Sequence, residues 1–374
     1  MFIAIWDEKS IDIQNVLDYN ESTPKTFLFL ISAAKGTAMP VTIKDIARRT
    51  GKSITTVSRA LHGYNDVSEE TRAMIVRVAE EMGYMPNLLA QRLQKQRTDT
   101  LGFILPTYGP RFSDPFFSEF LAGIGNTAGE HGYDLLVSTQ PPGEKELEVY
   151  RKKVMGRQVD GFIVVRTRCQ DPRIDYLREV GAPFVAFGRT EGNLDYPFVD
   201  EDGAAGMKKL VAHLVGLGHQ RIAYISPPLE YTFARDRLRG VQEALQEAGL
   251  ALPESWLVFG DLTQGSGKAR ALELLQAAQR PTAIIAGNDL MAFGAMNAAM
   301  QLGLRVGRDV AIAGFDDIPM AETAHPPLTT VHQPIYKIGR MLTEMLIQII
   351  QGKPLETRQI LLTPQLIVRQ SCGE

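Results

Sequence analysis

The stretch KDIARRTGKSITTVSRALHGYNDVSEETR (residues 44–72) carries five Lys and Arg before its first pair of adjacent acids, in a chain whose formal net charge is -3. Its apolar residues follow a helical period. Ile43, Ile46 and Ala47 predict a short helix ending at Thr50. Gly51 can take the left-handed conformation that stops a helix and turns the chain sharply. Ser53 is placed to cap a second helix over 54–61, with Val57, Ala60 and Leu61 turned toward the first. A third helix begins after Ser68, has Glu69 and Glu70 at its positive end, and presents Ile75, Val78, Ala79 and Met82 inward. Two short helices joined by a glycine turn and braced by a third form a helix-turn-helix.

The residues this leaves outside suit duplex DNA. The N-terminal part of the second helix of such a motif enters the major groove. Arg59 offers two parallel donors to a guanine, and Ile54 and Thr55 offer apolar contacts such as a thymine methyl. Thr42, Ser53, Ser58 and Ser68 are expected on phosphates, which set register without reading sequence. Downstream, LLAQRLQKQRT (88–98) is amphipathic, basic, and too short to be a stable helix alone. It is expected to fold on DNA and to wedge Leu93 between base steps of the minor groove.

Charge separates this head from the rest. Residues 39–98 hold ten Lys and Arg against six Asp and Glu, while the segments on both sides are net acidic. A basic head on an acidic body predicts that only the head meets a polyanion. The chain has 374 residues, 44% of them hydrophobic and 22% charged, which suits a globular protein of two or three domains. Its two cysteines, Cys169 and Cys372, fit neither a disulfide framework nor a zinc site, and no paired metal-ligand spacing occurs among six histidines. No cofactor or metal is expected, and no apolar run reaches the length of a membrane span. FLFLISAA (27–34) lies behind an acidic segment and so does not read as a secretory signal. Residues 1–38 are taken as an over-called start or a loosely attached extension preceding a functional start near Met39.

Beyond Thr98 the pattern changes to apolar runs separated by helical stretches. The runs are LGFIL (101–105), DLLVS (134–138), GFIVV (161–165), PFVAFG (183–188), RIAYIS (221–226), WLVFG (256–260), TAIIAG (282–287) and VAIAGF (310–315). Near-continuous apolar strands between helices predict parallel sheets covered on both faces. About 275 residues exceed one such sheet, so two lobes are expected with a ligand at the carboxyl ends of their strands. Candidates after those ends are Phe116 and Phe117 to stack on a sugar ring, Arg237 to fork across two hydroxyls, and Asp316 to accept from hydroxyls. Asp317 reads as structural and Asp289 as a helix cap. ILLTPQLIVRQS (360–371) reads as a final strand with no leucine heptad after it, which favours a dimer over a tetramer.

TIKDIARRTGKSITTVSRALHG, EEMGYMPN, AQRL, ARDRLRG, AGNDLMAFGAM, AGFDDIP and PPLTTVHQP together resemble the lactose-repressor family of bacterial transcription regulators, from about Val41 to the C-terminus. The resemblance implies a headpiece that reads an operator half-site through Ile54, Thr55 and Arg59, and a hinge helix inserting Leu93. It also implies a periplasmic-binding-protein-like core in which Phe116, Arg237, Asp316 and, more weakly, Asn288 match effector-cleft positions. Departures are Lys52 in the turn, Gly188 where many members have an aspartate, and Leu262 and Ile335 where some have aromatics. Arg189 then becomes a candidate polar contact, and the cleft is expected to have fewer aromatic walls.

The expected architecture is a small all-α helix-turn-helix headpiece plus an α/β core of two doubly wound parallel-sheet lobes. The expected divisions are an extension at 1–38, a headpiece at 39–84, a hinge at 85–98 and a core at 99–374. Within the core, the N-lobe takes about 99–199 and 333–360, and the C-lobe about 200–332 and 361–374. GSGK (265–268) lacks the remaining residues of a phosphate loop, and no nucleophile motif is complete, so catalysis is not expected. The expected function is a cytoplasmic, nucleoid-associated homodimeric repressor that binds a pseudo-palindromic operator and is released by a small sugar. A corepressor-dependent or activating regulator is the alternative, followed by a sugar-binding transport protein.

Overall fold

The computed structural model describes residues 41–85, 97–107, 114–192 and 194–373. The chain divides into two units, 1–91 and 92–374. The extension at 1–38 and the wedge residue Leu93 lie outside the described residues.

The first unit holds three helices, α1 (Ile43–Thr50), α2 (Ile54–Leu61) and α3 (Glu69–Glu81). Each boundary has a local cause. The Asp45 carboxylate accepts from the Thr42 N–H at 3.0 Å and its hydroxyl at 2.7 Å, tying the first turn of α1. Gly51 ends that helix at φ 67°. Ser53 Oγ accepts from Thr56 N–H at 3.0 Å, and Ser68 Oγ from Thr71 N–H at 3.4 Å, so both serines cap helices. Ile46, Val57, Ala60, Val67, Ile75 and Ala79 make the buried core of this unit, and Leu61, Val78 and Met82 pack against it.

The second unit contains two six-stranded sheets. The first comprises β1 (Thr100–Pro106), β2 (Asp134–Gln140), β3 (Gly161–Val164), β4 (Phe184–Phe187), β5 (Phe198–Glu201) and β11 (Gln359–Leu362). Their order is β11-β5-β4-β3-β1-β2, and every neighbouring pair is parallel. The second comprises β6 (Ile222–Ser226), β7 (Leu257–Phe259), β8 (Ala283–Ala286), β9 (Ala311–Asp316), β10 (Thr329–His332) and β12 (Gln365–Ile367), in the order β12-β10-β9-β8-β6-β7. Only β12 departs from parallel, pairing antiparallel with β10.

All eight apolar runs contain a strand, but three features differ from expectation. β5 (FVDE) and β10 (TTVH) are short strands whose buried Asp200, Glu201, Thr329 and Thr330 hid them from an apolar pattern. The run 360–371 is two strands in different sheets rather than one, broken around Pro364, which has no N–H to give a ladder. β5 and β11 each extend two residues past the expected lobe crossings, to Glu201 and Leu362. The chain therefore crosses between lobes directly after Glu201.

Helices α4 (Pro115–Glu130), α5 (Glu144–Met155) and α6 (Pro172–Glu179) follow strands of the first lobe. Helices α7 (Gly203–Gly216), α8 (Thr232–Glu247), α9 (Gln264–Gln276), α10 (Asp289–Gln301) and the short α11 (Met320–Thr323) belong to the second, and α12 (Ile335–Ile350) returns to pack on α4. Glycine is required where α9 crosses α10. A Cβ at Gly267 would lie 2.3 Å from Met291 O, and one at Gly294 would lie 2.2 Å from Gln264 O. The GSGK segment is thus accounted for by helix packing. Among the described residues, no helix is long and apolar enough to cross a membrane.

Candidate nucleic-acid interface and ligand cleft

On the first unit, Ile54, Thr55, Ser58 and Arg59 recur at i, i+1, i+4 and i+5 of α2, which puts them on one side of the helix. Ile54 is 50% exposed although it is a large aliphatic residue. The Arg59 guanidinium pairs with Asp66 at 2.7 Å and lies 5.5 Å over the Tyr64 ring. Both side chains of that ion pair are about half exposed, so the pair contributes on the order of 0–1 kcal/mol and exchanges readily for a stronger partner. Lys44, Arg48, Arg49 and Lys52 are exposed along α1 and the turn. Ser53 and Ser68 are exposed, as expected of phosphate contacts, and they sit at helix N-termini whose free amides favour anions. Thr42 differs: its hydroxyl is spent on Asp45, whose carboxyl is held below its ordinary range first by that bond. Ser58 is half-buried, its carbonyl 2.6 Å from His62 Nδ1.

In the second unit a cleft of about 590 Å³, counting its open mouth, lies where strands of both sheets end. Glu201 and Asp316 are the last residues of β5 and β9. Arg166 and Thr167 follow β3, Gly188 follows β4, Leu262 follows β7, Asn288 follows β8 and Gln333 follows β10. Phe116 and Phe117 arrive on the first turn of α4, capped by Asp114, whose carboxylate accepts from Phe116 N–H at 3.1 Å.

Arg237, on α8, is the centre of the cleft. Its guanidinium lies between the Phe315 ring at 3.6 Å and the Phe233 ring at 4.9 Å. Nη1 donates to Gly287 O at 2.6 Å, Nη2 donates to Glu201 Oε1 at 2.7 Å, and Asp316 Oδ1 stands 3.6 Å away. The fork expected to span ligand hydroxyls is therefore already engaged inside the protein. Burial pushes the Glu201 carboxyl up to about 7 against the opposing pull of Arg237. Burial likewise raises Asp316, Asp200 and Asp114, with Arg237, Arg189 and Arg166 respectively pulling the other way. Asp316 also holds a φ of 124°, a region L-residues rarely occupy, while Gln333 Nε2 donates to its Oδ1 at 2.6 Å.

Five of the six sequence candidates line this cleft: Phe116, Phe117, Arg237, Asn288 and Asp316. Phe117 is 2% exposed and mostly core. Asn288 is committed elsewhere, since it caps α10 by accepting from Met291 N–H and donates to Leu262 O at 3.1 Å. It, and not Asp289, is the helix cap. Asp289 is fully buried and accepts from Thr330 Oγ1 and Ile318 N–H. Arg189 does not line the cleft. It straps the lobes, its Nε to Asp200 of β5 at 2.6 Å and its Nη2 to Asp236 of α8 at 3.0 Å.

Phe187 and Phe233 add aromatic walls to the cleft, and Phe116 stacks on Phe187 at 6.0 Å between centroids and 13° between planes. Gly188 is required because its φ is 104° and a Cβ would fall 2.3 Å from Thr167 Oγ1. Glu201, Gln333, Arg166 and Asp114 went unseen in the sequence. For Gln333 the available signal was a position directly after a strand, but β10 had been missed, as had β5, whose last residue is Glu201; Arg166 follows β3, a run that was read, and Asp114 caps α4.

Comparison with known proteins decides the family. The pattern of bacterial regulatory proteins of the lacI family matches residues 42–87, and a periplasmic binding protein-like domain matches 211–372. The HTH-type transcriptional regulator AglR of Rhizobium meliloti is 36% identical over 339 residues, 90% of this chain and 95% of that protein. The chain belongs to the lacI family. Its fold matches the family's solved structures. The Lac repressor dimer bound to operator and the anti-inducer ONPF superposes with a TM-score of 0.79 at 28% identity, covering 90% of this chain and all of that one. The transcriptional regulator CelR in complex with cellobiose gives 0.69 at 34% identity, over 88% of this chain and 99% of that one. Such family members are DNA-binding transcription regulators, and so is this protein.

Proposed function

We propose that the protein is a cytoplasmic homodimeric repressor whose two headpieces bind a pseudo-palindromic operator and whose cleft binds a small sugar that releases it. One observation carries the reading: a single lacI-family chain joins an exposed helix face built for the major groove to a polar, aromatic-walled cleft between two lobes. Ile54, Thr55 and Arg59 read bases, while Ser53, Ser58 and Ser68 meet phosphates near the helix ends. Thr42 joins them once a phosphate displaces its hydroxyl from Asp45. The segment 85–98 is the hinge, and Leu93 wedges the operator centre. The relative CelR, solved as a complex with cellobiose, and the Lac repressor dimer on its operator support the sugar, the dimer and the operator. The protein acts by binding and performs no catalysis.

Two half-sites about one helical turn apart fit a two-fold dimer. Ligand need favour the released state by only about 1–3 kcal/mol to change operator affinity some 5–150-fold. Fluorescence anisotropy on duplexes from upstream of the gene and from neighbouring sugar-uptake promoters tests this. Tight binding that weakens steeply with salt and is released by one sugar is the expected result. Ligand-strengthened binding makes the protein corepressor-dependent, and absence of DNA binding refutes the proposal.

A further inference from the structure

Two buried oxygens of the cleft have no hydrogen-bond partner, Glu201 Oε2 and Gln333 Oε1. The residues are 4% and 2% exposed, so water does not serve them freely. In each, the other polar atom is fixed. Glu201 Oε1 accepts from Arg237 at 2.7 Å, and Gln333 Nε2 donates to Asp316 at 2.6 Å. Those two bonds orient the side chains and leave one acceptor of each for the cavity. A buried acceptor without a donor is costly, and a ligand hydroxyl placed there recovers that cost.

The charges around them point the same way. The lining holds four carboxyl groups, Asp114, Asp200, Glu201 and Asp316, against two guanidinium groups. Arg166 is paired with Asp114 at 3.2 Å and Arg237 with Glu201 at 2.7 Å. Among the described residues of the lining, both cations therefore already have a carboxylate partner, and a phosphate or carboxylate would have to displace one. The stacked Phe116 and Phe187 add a flat apolar wall for the C–H face of a ring.

We infer that Glu201 and Gln333 set the effector's chemical class: an uncharged polyhydroxy ligand donates hydroxyl hydrogens to Glu201 Oε2 and Gln333 Oε1, and Glu201 rejects phosphorylated and acidic sugars. The inference rests on the reading of this cleft as the effector site. Glu201 is the specificity determinant because it lies at the crossover between lobes, its Oε1 tied to Arg237 and its Oε2 buried in the lining without a partner.

The test is calorimetry on the full-length protein at pH 8, above the Glu201 value of about 7 so that its carboxylate is ionised, with matched probes: cellobiose and cellobiose 6-phosphate, ribose and ribose 5-phosphate, glucose and glucuronate. A neutral sugar should bind at least about 100-fold more tightly than its anionic counterpart. Glu201→Gln keeps a carbonyl for Arg237 but turns an NH₂ toward the ligand. It should weaken the neutral sugar by about tenfold or more and narrow the neutral-to-anionic ratio by at least as much. Gln333→Met should weaken the neutral sugar about tenfold and leave the ratio unchanged, which keeps the inference open to refutation if Glu201→Gln does not fold. A sugar that binds wild type and both variants alike, or a wild type that prefers the anionic probe, overturns this inference alone. Silence across the panel with operator binding intact overturns the effector-cleft reading and this inference with it.

Discussion

Glu201→Gln should change the pH dependence of core stability more than it changes stability at any one pH. The carboxyl is fully buried, and its folded value is raised from an ordinary 4.5 to about 7. The folded protein then holds its proton more tightly than the unfolded chain does. Stability is highest while the group is protonated in both states and declines as pH rises from near 4.5 through about 7. A shift of that size amounts to about 3 kcal/mol, of which about 2–3 kcal/mol is lost between pH 5 and pH 8. Glutamine mimics the protonated form and titrates nowhere in this range. Its unfolding free energy relative to wild type should therefore rise by about 2–3 kcal/mol from pH 5 to pH 8. Asp289 and Asp316 are also raised by burial and remain in both proteins, so the difference between the two curves is the observable. Urea denaturation followed by tryptophan fluorescence and far-UV dichroism, without sugar, gives both curves. A difference that stays flat to within about 0.5 kcal/mol across that range would refute the assignment of a raised Glu201.

Arg59→Ala should lose about 1–3 kcal/mol of discrimination between operator and random DNA, read by competition anisotropy; equal losses on both duplexes would mean that Arg59 serves phosphates only. Arg237→Ala removes the partner of Glu201 and the filling between Phe233 and Phe315. It should destabilise the core by about 3–5 kcal/mol and abolish sugar release of the operator, so a normal sugar response would move the ligand elsewhere. Gly267→Ala should cost about 1–3 kcal/mol by forcing α9 off the backbone of Met291, seen as a lower Tm. An unchanged Tm would show that the crossing has room.

The headpiece was legible almost residue by residue because its determinants are local. A capping serine, a glycine at φ 67° and apolar residues three and four apart each act within one or two turns of chain. The interior strands were legible for a similar reason, since a strand covered on both faces must be apolar throughout. Arg237 and Asp316 were found at the cleft because the resemblance and their place beyond a strand agreed. Arg189 was misplaced for want of its partners: Asp200 and Asp236 lie in different lobes.

By itself, then, the sequence determined the helix-turn-helix, the two-lobe parallel architecture and the basic polarity of the head, all of which follow from periodicity, capping and composition. Tertiary structure alone decided which polar groups face the cleft and which are consumed within it. β5 and β10 carry buried Asp, Glu and Thr where a lone strand would bury none, because residues outside each strand supply the partners: Arg237 of the other lobe for Glu201, and Arg189 and Asp289 of the same lobe for Asp200 and Thr330. The free oxygens of Glu201 and Gln333 exist only because Arg237 and Asp316, distant in the chain, occupy the other half of each side chain. Such satisfaction is a property of groups brought together from separate segments, and no short window of sequence contains it.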